Sequence, residues 1–257
     1  MHFLRRGVSL LLLTMMCACA LELANVSNAI EKAREQSVLT QKILANYIMV
    51  GMHNSFQNTE ETFNKSIASF EENMEALDAF ATSKKAFMNS EKVMELWEPV
   101  KKNLLKKKSK AEAMVLFGQL DTLLALTRET TKIYTRQTGS MLGKIIDASS
   151  DIGINAQRMA TLYLLKAWGE EEKMVKEKMQ EAIKTFQKSV KILKAAQINT
   201  PEIRTVLGRV EKAFMYFTVM DALDSSAVPT LIYKKSNMIL KDANRLSTLY
   251  NKTITLN

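Results

Sequence analysis

The sequence predicts an all-α protein built as two tandem up-down four-helix bundles. Three observations carry that expectation. Breakers are scarce, with eight Gly and three Pro in 257 residues, whereas sheets and their hairpins consume turn residues. Apolar residues recur at spacings of three and four, the period of a helix with one buried face. The chain also repeats itself: Gln41-Lys42 and Tyr47 return as Gln157-Arg158 and Tyr163, an offset of 157 − 41 = 116.

Composition narrows the class further. The hydrophobic fraction of 47% is enough for a packed core and argues against disorder. Sixteen Met suit gap-filling between helices. The net charge of +9 is mostly Lys spread over helix faces. One true cluster, Lys101–Lys110 (KKNLLKKKSK), has no interleaved aromatic residues for base stacking, so nucleic acid is not an expected partner.

Residues 1–20, MHFLRRGVSLLLLTMMCACA, have the layout of an export signal. Arg5 and Arg6 precede an apolar run, and Ala18-Cys19-Ala20 supplies a small-x-small cleavage pattern. The run is short for a membrane span. Both cysteines lie in it. Cleavage after Ala20 would leave no thiol, whereas acylation at Cys19 would give a lipoprotein attached to the membrane. The expectation is a soluble periplasmic protein with the signal removed.

The helices follow in order. The first is expected from Asn28 to about His53, with Glu31 as capping partner. The second begins near Asn58 or Thr59 and carries the stripe Phe63, Ile67, Phe70, Met74, Leu77 and Phe80. The third is expected from about Ser90 through Trp97 and Leu104, with Pro99 kinking or restarting it. Ser109 and Glu112 form a capping box that opens the fourth, whose inward face includes the hydroxyls of Thr127 and Thr130. Gly139 and Gly143 either bend the chain or are passed by one long helix from about Glu112 to Trp168. The fifth helix spans Leu142–Trp168, and the sixth carries Met179, Ile183, Phe186, Val190 and Leu193. Thr200 caps the seventh with Pro201 in its first turn. Ser225 or Ser226 caps the eighth, with Pro229 following.

At the same offset Ile67 and Phe70 map to Ile183 and Phe186, Leu77 to Leu193, Ser109 to Ser225, Leu123 to Ile239 and Tyr134 to Tyr250. The third helices need a shift of several residues, matching Leu96 with Leu207. The expected units are 21–140 and 141–257, each the size of an ordinary domain.

The repeated segment resembles a known family. Gln36-Ser37-Val38-Leu39-Thr40-Gln41-Lys42-Ile43 and Ile152-Gly153-Ile154-Asn155-Ala156-Gln157-Arg158-Met159 are similar to the first-helix motif of the N-terminal domain of type IV pili methyl-accepting chemotaxis transducers. That PilJ-like, NarX-like group includes the sensing domain of nitrate/nitrite sensor kinases. The resemblance implies a helical periplasmic sensor module in two copies. It also implies an anion-binding arginine early in the motif, but Ser37 and Gly153 stand at that position, so it does not extend to nitrate. Signalling members continue into a transmembrane helix, whereas this chain has no expected signalling output of its own.

Candidate ligand-binding residues are Ser37, Gln41 and Lys42 in the first unit, and Asn155, Gln157 and Arg158 in the second. A buried amide must be hydrogen-bonded, so Gln41 and Gln157 either fix helix register or line a polar pocket. Arg158 is the stronger anion ligand, because a guanidinium can make two parallel bonds to a carboxylate or oxyanion. Its alternative is a salt bridge to Asp151 or to a neighbouring helix. No cofactor is expected, since His53 alone after cleavage gives no metal pattern and no haem-attachment motif is present. Neither a phosphate loop nor a nucleophile elbow appears, so an enzyme is not expected. The functional expectation is an exported sensor-type protein that binds a small anionic or polar ligand, or a partner such as an envelope sensor or chemoreceptor, with a homodimer as an allowed assembly. The alternative is a structural or interaction bundle of the cell envelope.

Overall fold

In the computed structural model the chain forms eight α-helices, with no strand among the described residues. They are α1 (His2–Gly51), α2 (Thr59–Ala79), α3 (Lys84–Leu104), α4 (Lys110–Thr135), α5 (Ser140–Ala167), α6 (Lys173–Lys194), α7 (Pro201–Ala222) and α8 (Pro229–Thr255). The structure describes residues 2–255 apart from 55, 57, 139, 171–172 and 223–227, and of 2–25, 138, 140–142, 220–222 and 254–255 it describes the backbone only. The side chains of the expected export signal, Cys17 and Cys19 included, therefore lie outside what the structure describes, as do Ser225 and Ser226. No helix is long and apolar enough to cross a membrane among the described residues.

Helix ends follow local chemistry. The Ser109 hydroxyl accepts the Glu112 N–H at 3.2 Å, and Thr200 accepts the Ile203 N–H at 3.2 Å; the expected capping box at Ser109 is only half made, because its own N–H goes to Tyr47 and the Glu112 carboxylate to Lys106. The third helix starts earlier than Ser90, because Ser83 caps it by accepting the Ala86 N–H at 3.1 Å. Pro99 lies inside α3 without ending it. Its neighbours Trp97 and Val100 are fully buried, and that packing outweighs the one lost hydrogen bond. α1 does not begin at Asn28; its backbone is helical from His2, and no Gly or Pro interrupts residues 8–35. The single helix from Glu112 to Trp168 is excluded, since a 3₁₀ turn, Arg136–Thr138, separates α4 from α5.

The C-terminal ends of α1 and α5 share one design. Asn54 N–H bonds to Met49 C=O and His53 N–H to Val50 C=O, each at 2.9 Å. Glu170 bonds in the same way to Leu165 at 3.0 Å, and Gly169 to Lys166 at 2.9 Å. These are Schellman motifs, which require a left-handed residue after the helix. Gly169 supplies it at φ 98, and His53, 169 − 53 = 116 positions earlier, supplies it at φ 55.

Packing closes two rings. α1 packs on α2 and α4, with α3 between the latter two; α5 packs on α6 and α8, with α7 between those two. In the first ring Phe70 stacks on Trp97 at 4.3 Å, and in the second Phe186 stacks on Phe214 at 4.4 Å. The third helices thus match at 214 − 97 = 117, not at the shift that pairs Leu96 with Leu207. The Tyr47 hydroxyl accepts the Ser109 N–H at 3.2 Å. Its counterpart Tyr163 accepts the Val228 N–H at 3.3 Å, so each tyrosine ties the first helix of its ring to the start of the fourth.

The rings join through α1 against α5, and one hydrophobic core runs through both. The Gln41 carbonyl accepts from the Thr161 hydroxyl at 3.0 Å, and the Trp168 ring covers Gly51. The two helices therefore run side by side in one direction. At their seam Val38, Leu124 and Ile154 cluster with Leu240. These form two pairs at the repeat offset, Val38 with Ile154 and Leu124 with Leu240, so the seam has approximate two-fold character.

Candidate functional site

The six residues singled out in the sequence do not converge on one pocket. Ser37 is buried between α1 and α4, with its Oγ 3.0 Å from Thr127 Oγ1. Gln41 Nε2 reaches Thr40 Oγ1 at 3.3 Å, and Gln157 Nε2 donates to Asn237 Oδ1 at 3.1 Å. The Oε1 of each glutamine is buried without a partner. Asn155 donates back to the Asp151 carbonyl of its own helix at 2.8 Å.

Arg158 is buried and bonded to Asp121 of α4, not to Asp151. Asp121 also holds Lys178 at 3.5 Å. Burial pushes the Asp121 carboxyl up, but the hydrogen bond and charge of Arg158, joined by Lys178, outweigh that and hold it below its ordinary range. Asp151 is taken by Arg128. The strongest anion ligand in the sequence is therefore committed to a strut between α5 and α4.

Lys42 alone of the six faces a cavity. This is a space of about 680 Å³ between α1, α5 and α8, within the usual range of ligand sites. Its rim holds the exposed Glu31, Glu35, Asn244 and Thr248. Ile30, Val38, Ile146 and Leu240 form an apolar wall, and Ser149, Ser150 and Ser247 add hydroxyls. Arg34 lies among them. Its Nη2 donates to Ser247 Oγ. Ser247 continues to Ser149 Oγ at 3.0 Å, and Ser149 to the Ile146 carbonyl at 3.0 Å. Arg34 Nε is buried without a partner. Burial pulls the guanidinium down to about 10, against the opposing fields of Glu31 and Asp147. Lys42 is likewise lowered by burial, with Glu35 opposing.

The repeat explains why the space is open. On the α4 side of the seam Arg128 bonds Asp151, and Lys132 follows one turn later. At the offset of 116 on the α8 side stand Asn244 (244 − 128) and Thr248 (248 − 132). Two long cations are replaced by two short polar side chains, and the volume they would fill is left empty. Beside the space, Gly153 lets α5 and α8 approach closely: a Cβ there would sit 3.0 Å from Leu240 Cδ1.

Sequence reasoning passed over Arg34. The signal was present, because Ile30, Arg34, Val38 and Lys42 recur every four residues along one face of α1. A cation on a face otherwise directed at the seam marks a polar cavity or a buried ion pair. Which of the two it is depends on the residues opposite, and those lie more than 100 positions away.

No family model, curated protein or solved structure matches the chain.

Proposed function

We propose that the protein is an exported, sensor-type helical receptor that binds a small molecule in the cavity between α1, α5 and α8. One observation carries this reading: about 680 Å³ of amphipathic space with a cation on its wall. A cavity of this size and mixed lining is built at a stability cost, since filling it would add apolar burial. The PilJ-like resemblance of α1 and α5 supports a sensing role, and these are the helices that flank the space. The leader-like residues 1–20 support export, with any signalling output residing in a partner protein.

The structural-bundle reading keeps one specific observation in its favour, the commitment of Arg158 to Asp121. A thermal-shift screen of carboxylates, amines, amino acids and sugars separates the two. A ligand at 100 times its Kd stabilises the native state by about 2.7 kcal/mol, a rise of several degrees for a chain of this size. Ile146→Trp, which places a large ring in the cavity, should abolish that rise. A flat screen on the wild-type protein would defeat the receptor reading and favour the scaffold.

A further inference from the structure

We infer that the cavity takes an organic monocarboxylate, with its charged group on Arg34 and its apolar body against Ile30, Val38, Ile146 and Leu240. The inference rests on the cavity reading above and names the class of ligand.

Arg34 has unused hydrogen-bonding capacity. A guanidinium carries five N–H donors in a rigid fork. Among the described residues one bond is made, from Nη2 to a neutral serine hydroxyl. Nε is buried without a partner. No carboxylate lies within ion-pair distance of Arg34 among the described residues, although Glu31 and Asp147 act on it through space. A buried charge in this condition is costly unless something pairs with it.

The other side of the seam shows how the fold satisfies an arginine. There Arg128 of α4 meets Asp151 of α5 directly, and Arg158 of α5 meets Asp121 of α4. Every other buried or half-buried arginine at the seam thus has its own carboxylate, and Arg34 has a cavity in that place. A ligand carboxylate would complete the pattern with parallel N–H···O bonds.

The remaining lining sets the rest of the class. The wall beyond Arg34 is aliphatic, which favours an apolar body over a sugar or a small inorganic anion. Of the rim carboxylates, Glu35 acts on Lys42 and Glu31 on Arg34, so the interior accepts one negative charge and disfavours a second. The available volume accommodates a chain of about eight carbons or a substituted ring.

The test titrates octanoate, octylammonium and nitrate, each at millimolar concentration, into the full chain and into Arg34→Lys and Arg34→Met, with calorimetry and melting temperature as readouts. Octanoate should bind the wild type and raise its melting temperature, while octylammonium and nitrate should not. Arg34→Lys should bind octanoate more weakly, and Arg34→Met should lose roughly tenfold to a hundredfold in affinity. Arg34→Met should fold, since removing an unpaired buried charge while keeping the stem volume is neutral or stabilising; if it does not fold, Arg34→Lys still supplies the ordering. If octylammonium binds in preference to octanoate and Ile146→Trp abolishes that binding, the carboxylate class is wrong and the receptor reading stands. Octanoate bound equally by all three proteins would also overturn the assignment. If none of the three compounds binds, the carboxylate assignment falls, while the receptor reading falls only if the broader screen is flat as well.

Discussion

The Arg158–Asp121 pair offers a quantitative test of how the two rings are held together. Consider Arg158→Met, which keeps the aliphatic volume and removes the charge. Removing one partner of a fully buried ion pair costs about 3–5 kcal/mol, because the other charge is stranded. Arg158 is only 6% exposed at its side chain, but Asp121 keeps 25% and retains Lys178 at 3.5 Å. Water and the second cation offset part of the loss, so about 2 kcal/mol is expected.

The sign of the pH dependence follows from Asp121. Its carboxyl is held below the ordinary range in the folded protein, so its contribution is present above the unfolded pKa of about 3.9 and is lost as pH falls through the folded value. The difference between wild type and Arg158→Met should therefore be full at pH 7 and shrink below about pH 4. Urea unfolding at pH 7 and pH 3, at matched ionic strength and with unchanged m-values, measures it. A loss under about 0.5 kcal/mol at pH 7, typical of a surface pair, would refute the strut. So would a loss that persists undiminished at pH 3.

Two further substitutions probe the C-terminal end of α1. His53→Gly should stabilise the protein by about 1 kcal/mol, because a Cβ is disfavoured in the left-handed conformation that this residue adopts at φ 55; an unchanged or lower urea midpoint would show that the imidazole compensates. Gly51→Ala should cost about 1–3 kcal/mol by overpacking, since its Cβ would sit 2.4 Å from the Trp168 ring. In a Trp97→Phe background, its fluorescence should shift to the red as Trp168 is driven into solvent, and an unmoved spectrum would count against that contact.

Much of the fold follows from local pattern. Scarce breakers, three-four spacing and the Ser109 and Thr200 caps are properties of neighbouring residues, and they locate helices whatever the chain does elsewhere. The repeat at 116 likewise matched Tyr47 with Tyr163, which make the same tie in each ring; the structure adds the cap positions His53 and Gly169 at the same offset. Local pattern failed where two weak preferences competed. Ser83 rather than Ser90 starts α3; whether α4 and α5 are continuous was left open by the sequence, and a 3₁₀ turn separates them.

The site was decided by tertiary structure. Arg158 read as the better anion ligand because sequence shows what a side chain can bind, not what already occupies it. Asp121, 37 positions earlier and on another helix, closes that question. Arg34 looked ordinary for the same reason. Its importance comes from Asn244 and Thr248, short residues on α8 where the matching positions of α4 carry Arg128 and Lys132. A cavity is a property of several helices at once. The sequence by itself determined that one face of α1 carries a cation every eight residues; only the packing of α1, α5 and α8 decided that one of them, Arg34, would meet a serine hydroxyl and a cavity instead of a carboxylate.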